Sequence, residues 1–198
     1  LAIDVINEII GQIQSGAAIE VDDRLISACE NNLNQAIEHD RDGPIDKSMI
    51  AHMLVMPQET YLAELSEVAD VDAIHQAREA VRGEIAKRLK GVLLSVYKLN
   101  QDSGQYQPTA DAMARRSLKN MALSYLMQPD DTEMVQLCVD QFEKADNMTD
   151  TSAAIRALVN SCAEAAQAAK EKALIEFYNR WSDEALVIDQ WFGIQAAC

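Results

Sequence analysis

The sequence contains few glycines, prolines and histidines. None of its seven glycines forms G-x-G-x-x-G or G-x-x-x-x-G-K-S/T, which excludes the phosphate-binding loops that carry those motifs. The three histidines, His39, His52 and His75, are followed by Asp, Met and Gln. The zinc motif H-E-x-x-H, which places two imidazoles one helical turn apart beside a carboxylate, is therefore absent.

Cysteine is scarce too, and no C-x-x-C pair occurs among Cys29, Cys138, Cys162 and Cys198. This spacing argues against a disulfide framework and favours a reducing, cytoplasmic compartment. The first three cysteines fall on apolar helical stripes. We therefore expect their free thiols to pack as small hydrophobic groups.

Long apolar runs and an excess of positive charge are also missing. No run approaches the roughly 18 apolar residues of a membrane span, and no charged leader opens the chain, so we expect a soluble protein without a membrane partner. The formal charge is −15, from 17 Lys and Arg against 32 Asp and Glu, which argues against nucleic-acid binding. The basic cluster Arg115, Arg116 and Lys119 is interpreted as a solvated helix face.

Apolar residues recur at intervals of three and four along almost the whole chain, the pattern of amphipathic helices. The 48% apolar content is enough for a substantial core. Short linkers favour antiparallel neighbours. The prediction is an all-α fold, either a compact bundle or an irregular solenoid of stacked helix hairpins of the armadillo or HEAT type. About ten helices are predicted, near residues 2–15, 22–39, 45–55, 58–68, 72–100, 109–127, 131–144, 150–165, 168–181 and 184–196.

Turn and cap signals separate these helices. The four prolines stand at or just before predicted helix starts, where a missing N–H costs little; they are Pro44, Pro57, Pro108 and Pro129. In the stretch ADNMTDTSAAIRALVN, Asp146 and Asn147 end one helix. Thr149 is the predicted N-cap of the next, with Met148 folding over Ala153 as a hydrophobic staple. The stretch is interpreted as a joint between stacked helices and not as a catalytic loop.

One helical face carries metal-ligand types, because Asp72, His75 and Glu79 follow at intervals of three and four. Such a face supplies only part of a ligand set for a metal ion. The favoured interpretation is structural, with Asp72 capping the helix and Glu79 facing solvent. A metal-dependent helical enzyme built on these three residues is the remote alternative.

The sequence gives equally little evidence for nucleophilic catalysis or for a ligand-stacking site. A serine or cysteine nucleophile needs a base within hydrogen-bond reach, and the scattered histidines provide no motif for one. Trp181, Trp191 and Phe192 cluster near the chain end at helical spacing. They could form a ligand-stacking surface, although core packing is the favoured interpretation.

Three stretches resemble the C-terminal helical domain of bacterial aminopeptidase N, the alanyl aminopeptidase family of zinc metallopeptidases. They are ARRSLKNMALSYL, ADNMTDTSAAIRAL and RWSDEALVIDQWFGIQA, at residues 114–126, 145–158 and 180–196. Their order and spacing also fit. The similarity extends more weakly through the first hundred residues, including DVDAIHQAREAVRGEIAKRL.

The resemblance implies that the catalytic groups of the enzyme lie in another domain. The family's zinc ligands, catalytic glutamate and exopeptidase loop belong to a thermolysin-like catalytic domain, and none of those motifs occurs here. We therefore expect no catalytic, cofactor-binding or metal-binding residue in this chain, and zinc only in the parent enzyme. Residues 1–198 are expected to form a single α-helical domain, the first part of the C-terminal domain of a longer protein, since the chain opens at Leu1 directly in a helical pattern.

The implied role is a cap on the catalytic domain of the same polypeptide. A concave stack of helices can close over an active-site chamber that admits peptides, from which the parent enzyme removes single N-terminal residues. The alternative is a free-standing α-solenoid scaffold for protein–protein interaction. In either case an uncovered apolar face would allow the piece to associate with itself.

Overall fold

A computed structural model of the chain describes residues 1–42, 46–102 and 104–196, with side chains described for all of them except 39–42. The expectations for His39, Pro44 and Cys198 therefore lie outside the described residues or side chains. Within those ranges the chain forms α-helices and no strands. The helices are α1 (Ala2–Ser15), α2 (Asp23–Asp42), α3 (Lys47–Met53), α4 (Glu59–Glu64), α5 (Val71–Leu99), α6 (Ala110–Leu126), α7 (Thr132–Lys144), α8 (Met148–Val159), α9 (Ala166–Trp181) and α10 (Ala185–Ala196).

Short polar side chains start several of these helices. Asp70 accepts a hydrogen bond from the Ala73 N–H at 3.1 Å at the start of α5, and Thr109 accepts one from the Ala112 N–H at 3.3 Å at the start of α6. Each bond satisfies a backbone donor that has no partner inside the helix. α1 ends at Gly16, whose φ of 70° is a left-handed conformation that glycine adopts at little cost.

The helices pack as stacked hairpins around α5. α1, α2, α4 and α6 all pack against α5. α6 is itself covered by α3 and α8, so little of its circumference is left to solvent. From there the stack continues, because α7 packs against α8 and α9, and α10 packs against α9 and α8. This arrangement confirms the predicted all-α solenoid of stacked hairpins.

A single apolar core runs through the stack. The apolar spacing predicts a buried stripe in α5 that comprises Val81, Ile85, Leu89, Val92, Val96 and Leu99. Val81, Ile85, Leu89 and Val96 are almost completely buried, as predicted, whereas Val92 is only partly buried. Leu99 is 46% exposed, so the prediction was wrong there, and Leu93 is buried instead. Burying each side chain of this size contributes about 1.5–3 kcal/mol. Packing in this core therefore holds the long helix in place within the stack. None of the helices in the described ranges is both long enough and apolar enough to cross a bilayer.

The largest differences from the predicted boundaries concern α8. The prediction was 150–165, whereas the helix runs from Met148 to Val159. It stops early because the Asn160 amide donates to the Arg156 carbonyl at 2.9 Å and Asn160 forms the C-cap. Cys162 consequently lies outside the helix and is exposed. The expectation that this thiol packs in the core was wrong, whereas Cys29 and Cys138 are buried as expected.

Candidate functional site

A buried polar network joins α6, α7 and α8. The Lys119 ammonium lies 2.7 Å from the Asp150 carboxylate, and these two side chains are only 4% and 6% exposed. Asn120 Nδ2 donates to the same carboxylate at 2.8 Å, and Asn147 Nδ2 donates to it at 3.1 Å. From α7, Gln141 Nε2 donates to the Asp150 backbone carbonyl at 3.1 Å and to the Asn120 side-chain oxygen at 2.8 Å.

The turn before α8 positions Asp150 in this network. Asn147 is the N-cap, and its side-chain oxygen accepts the Asp150 N–H at 2.9 Å. The predicted cap at Thr149 was therefore wrong, and Met148 is the first residue of the helix, so it does not form the predicted staple with Ala153. Asparagine is as good a cap as threonine, and here it also donates to Asp150. The stretch does form a joint between helices, as predicted.

A second buried cation lies on the same helix. Arg116 is 2% exposed, donates to Asp102 at 2.9 Å and to the Gln107 carbonyl at 3.2 Å, and lies 4.9 Å from the centre of the Tyr106 ring. Arg115 is partly exposed and lies 3.7 Å from Asp102.

The solvated-face interpretation of the basic cluster was therefore wrong for Arg116 and Lys119. α6 is enclosed by α3, α5 and α8, which leaves these two cations no solvent-facing side. Their counter-charges, Asp102 and Asp150, lie 14 and 31 residues away in sequence. Local spacing does not reveal such pairs.

A cavity of about 450 Å³ opens beside this network, between the end of α5, α6 and α7. Its walls include Tyr97, Lys119, Gln141 and Asp150. Burial raises the pKa of the Tyr97 phenol to about 12, so the hydroxyl stays neutral at physiological pH. The Lys119 ammonium and the Asp150 carboxylate in this wall are paired with each other. The side-chain amide oxygen of Gln141 is buried and has no hydrogen-bond partner among the residues that the structure describes.

The candidate metal face of α5 is not assembled as a ligand set. His75 Nδ1 lies 2.9 Å from Glu59, on α4. The hydrogen bond with His75 is the main cause that lowers the pKa of the Glu59 carboxyl, and the hydrogen bond from Arg78 lowers it further. Asp72 lies inside α5, because Asp70 is the cap, so the predicted cap at Asp72 was wrong. The partly exposed Glu79 lies 3.6 Å from Arg82.

The metal-ligand types in the described part of the chain are dispersed. Among the residues that the structure describes, no three His, Cys, Asp or Glu side chains come together in a geometry that could hold an ion.

The aromatic cluster near the chain end is only half buried. The Trp191 ring lies 5.1 Å from the Tyr178 ring and 5.0 Å from the Phe192 ring, and Trp191 Nε1 donates to the Leu174 carbonyl at 2.9 Å. Trp181 and Trp191 pack against the core, as the favoured interpretation predicts. Phe192 does not, since it is 60% exposed.

Sequence reasoning did not identify Asp102, Asp150 or Gln141. One available signal was the spacing of Asn147 and Asp150, since a cap residue followed three positions later by an acceptor marks a helix start. A second was Lys119, which adjoins Leu118 in the apolar stripe of α6. Neither signal indicated that Lys119 is buried or that it meets Asp150.

Comparison with known proteins identifies the domain type. A family model described as "Domain of unknown function (DUF3458_C) ARM repeats" matches residues 1–198. Aminopeptidase N of Escherichia coli is 36% identical over 157 residues, which are 78% of this chain and 17% of that protein. Aminopeptidase N of Haemophilus influenzae is 31% identical over 189 residues, which are 93% of this chain and 20% of that protein.

The fold is also found in a solved structure. The crystal structure of Legionella pneumophila aminopeptidase A in complex with aspartic acid matches with a TM-score of 0.76 and 24% identity, over 98% of this chain and 23% of that one. At this identity the match concerns the fold alone. The chain spans about a fifth of the length of the curated relatives it matches. It belongs to the DUF3458_C family of ARM-repeat domains, a C-terminal domain of the aminopeptidase N family.

Proposed function

We propose that this chain is a non-catalytic part of a zinc-dependent aminopeptidase N that removes single N-terminal residues from peptides. Residues 1–198 would form one unit, the first part of the C-terminal helical domain, in a cytoplasmic enzyme. The observation that carries this proposal is the match of the entire chain to a domain family found in aminopeptidase N. In such an enzyme zinc activates a water molecule and polarises the peptide carbonyl.

The role proposed for this chain is to cap the catalytic domain and limit access to its chamber. Stacked hairpins form a stiff curved layer, and the Lys119–Asp150 pair ties adjacent hairpins together inside it. A stiff layer can exclude folded proteins while short peptides enter. We infer that neither the aromatic cluster nor the cavity contains a catalytic group, and that no residue of this chain cleaves the peptide bond.

The catalytic claim is tested by comparing the chain alone with the complete polypeptide encoded by its reading frame. The complete polypeptide should retain zinc after dialysis and hydrolyse aminoacyl p-nitroanilides. The chain alone should do neither. Turnover above a blank by the chain alone would overturn the proposal.

The capping claim is tested in the complete polypeptide with Asp150→Ala. Removing this carboxylate should loosen the packing of α6 against α8. We expect kcat/KM for long peptides to rise relative to that for dipeptides, with zinc content unchanged. Lys172→Met is the matched control, because its 2.9 Å pair with Glu143 is exposed. An unchanged ratio in a folded Asp150→Ala enzyme would contradict the cap.

The competing function is a free-standing α-solenoid that binds another protein. The observation in its favour is the exposure of large apolar side chains such as Val68, Leu186 and Phe192. The reading frame distinguishes the two functions. An upstream H-E-x-x-H in the same frame supports the aminopeptidase, and a complete short gene supports the scaffold.

A further inference from the structure

One segment of the chain combines exposed apolar side chains with charge of a single sign. Residues 48–77, here called the acidic apolar segment, contain five carboxylates and no Lys or Arg. Every residue from 64 to 72 is exposed, and Val68 is 86% exposed. Seven large apolar side chains of the segment face solvent, namely Met49, Met53, Val55, Tyr61, Leu65, Val68 and Val71.

Four of these side chains lie on two short helices or directly after one, whereas Val55, Val68 and Val71 lie in the connections or at the start of α5. α3 packs on α6 and α4 packs on α5, and both bury their inner residues, such as Ile50 and Leu62. Met49 and Met53 are four residues apart, as are Tyr61 and Leu65, so each pair lies on one side of its helix or its last turn. Monomeric proteins rarely leave so many large apolar groups uncovered in one region unless the region is an interface.

The carboxylates of the segment divide into two groups. Glu59 is hydrogen-bonded to His75 and Arg78, and Asp70 caps α5. By contrast Glu64, Glu67 and Asp72 are exposed and make no ion pair or side-chain hydrogen bond with any residue that the structure describes. The apolar surface is thus bordered by negative charge that nothing in the described chain neutralises.

We propose that the acidic apolar segment docks another domain of the same polypeptide, one that presents an apolar patch bordered by Lys and Arg. This inference rests on the proposed function. About four-fifths of each curated relative lies outside the matched region, so a further domain is available to cover the segment. Complementary charge at the border would fix the orientation of the two domains.

A second copy of this chain is the less suitable occupant. A two-fold dimer through this surface would place the same patch on both sides. The acidic border formed by Glu64, Glu67 and Asp72 in one copy would then face the acidic border of the other, and like charges brought together at an interface oppose association. Covering the apolar side chains would have to outweigh that repulsion.

The test measures the reactivity of a thiol introduced at the most exposed large apolar position of the segment, Val68. Val68→Cys is placed in the 198-residue chain and in the complete polypeptide, and peptide mapping by mass spectrometry follows maleimide labelling of each cysteine. The native exposed Cys162 is the internal reference. We expect Cys162 to react at a similar rate in both proteins. The thiol at position 68 should react at least tenfold more slowly in the complete polypeptide, independently of protein concentration.

A charge-reversal arm tests the border. In the complete polypeptide carrying the position-68 thiol, Glu64→Lys/Glu67→Lys should restore fast labelling. Glu30→Lys/Glu171→Lys makes the same change in net charge at exposed positions elsewhere and should leave labelling slow. Circular dichroism at 222 nm confirms that each variant is folded.

Two results would overturn the inference. Equal labelling of position 68 in the two proteins would show that no domain covers the segment. Protection of the 198-residue chain that grows with its concentration would assign the surface to a second copy. Hydrolysis of an aminoacyl p-nitroanilide by the complete polypeptide is measured in parallel, so the docking surface can fail while the proposed function stands.

Discussion

The buried pair of Lys119 and Asp150 provides the most direct test of how the hairpins are held together. The Asp150 carboxylate accepts three side-chain hydrogen bonds, from Lys119, Asn120 and Asn147. Asp150→Asn removes the charge and leaves the Lys119 ammonium buried without a counter-ion. Breaking a buried pair in this way costs about 3–5 kcal/mol, a large share of the roughly 5–15 kcal/mol by which a domain is stable.

Removing the ammonium group instead of the carboxylate should reduce the stability of the chain by less. In Lys119→Met the carboxylate keeps the amide donors of Asn120 and Asn147, so we expect a loss of about 2 kcal/mol. In the double variant neither charge is present, and the two losses should not add. The expected coupling energy is about 2 kcal/mol or more.

The assay is urea unfolding of the 198-residue chain followed by circular dichroism at 222 nm, with the full double-mutant cycle measured at pH 7. The exposed pair Lys172–Glu143 has a similar separation, 2.9 Å, and is the control. Surface pairs contribute little, so Lys172→Met should leave the midpoint unchanged within error. A loss below about 1 kcal/mol for Asp150→Asn, or strict additivity in the cycle, would refute the assigned role of the pair.

Three further predictions concern buried and exposed side chains. Tyr125→Phe removes the donor to the buried Leu54 carbonyl, 2.6 Å away, and should destabilise the chain by about 1–2 kcal/mol in urea unfolding; an unchanged midpoint would contradict it. Burial raises the pKa of Cys138 from 9.0 to about 12, so its thiol favours the folded state below pH 9 and this contribution is lost as pH rises toward 12. The contribution of Cys138 to the unfolding free energy should fall by about 1.4 kcal/mol per pH unit in that range, and Cys138→Ala should remove this component of the slope. Ellman's reagent should react quickly with Cys162 and not with Cys138 until the chain unfolds; equal rates would show that α7 does not bury its thiol.

The helical order could be predicted because two local signals agree along most of the chain. Apolar spacing of three and four identifies the buried face of α5 from Val81 to Val96, and proline, aspartate and threonine mark where helices start. Both signals act over a few residues. Predicted helix boundaries are therefore wrong where tertiary contacts or a competing cap residue determine the end of the helix. Thr149 is an example, because Asn147 caps α8 instead.

The polar network could not be predicted for a different reason. The identity of Lys119 carries no information about what lies opposite it, and its partner Asp150 comes from another hairpin 31 residues away. Charged residues spaced along a helix are usually solvated. Only the packing of α3, α5 and α8 around α6 makes burial unavoidable.

The same packing suggests why a charged pair is retained at this contact. Met121 of α6 and Ala153 of α8 line the same pocket, and small or flexible apolar side chains of this kind would tolerate a shift along the helix axis. A shift of one turn moves α8 by about 5.4 Å and would separate Asp150 from Lys119. We therefore predict that Lys119→Met/Asp150→Asn folds but loses a unique register, a role for which buried polar groups are best attested. In ¹H–¹⁵N correlation spectra the amides of α8 should double in this variant, with the amides of α1 remaining single. A single set of peaks at wild-type positions would show that apolar packing alone sets the register of the solenoid.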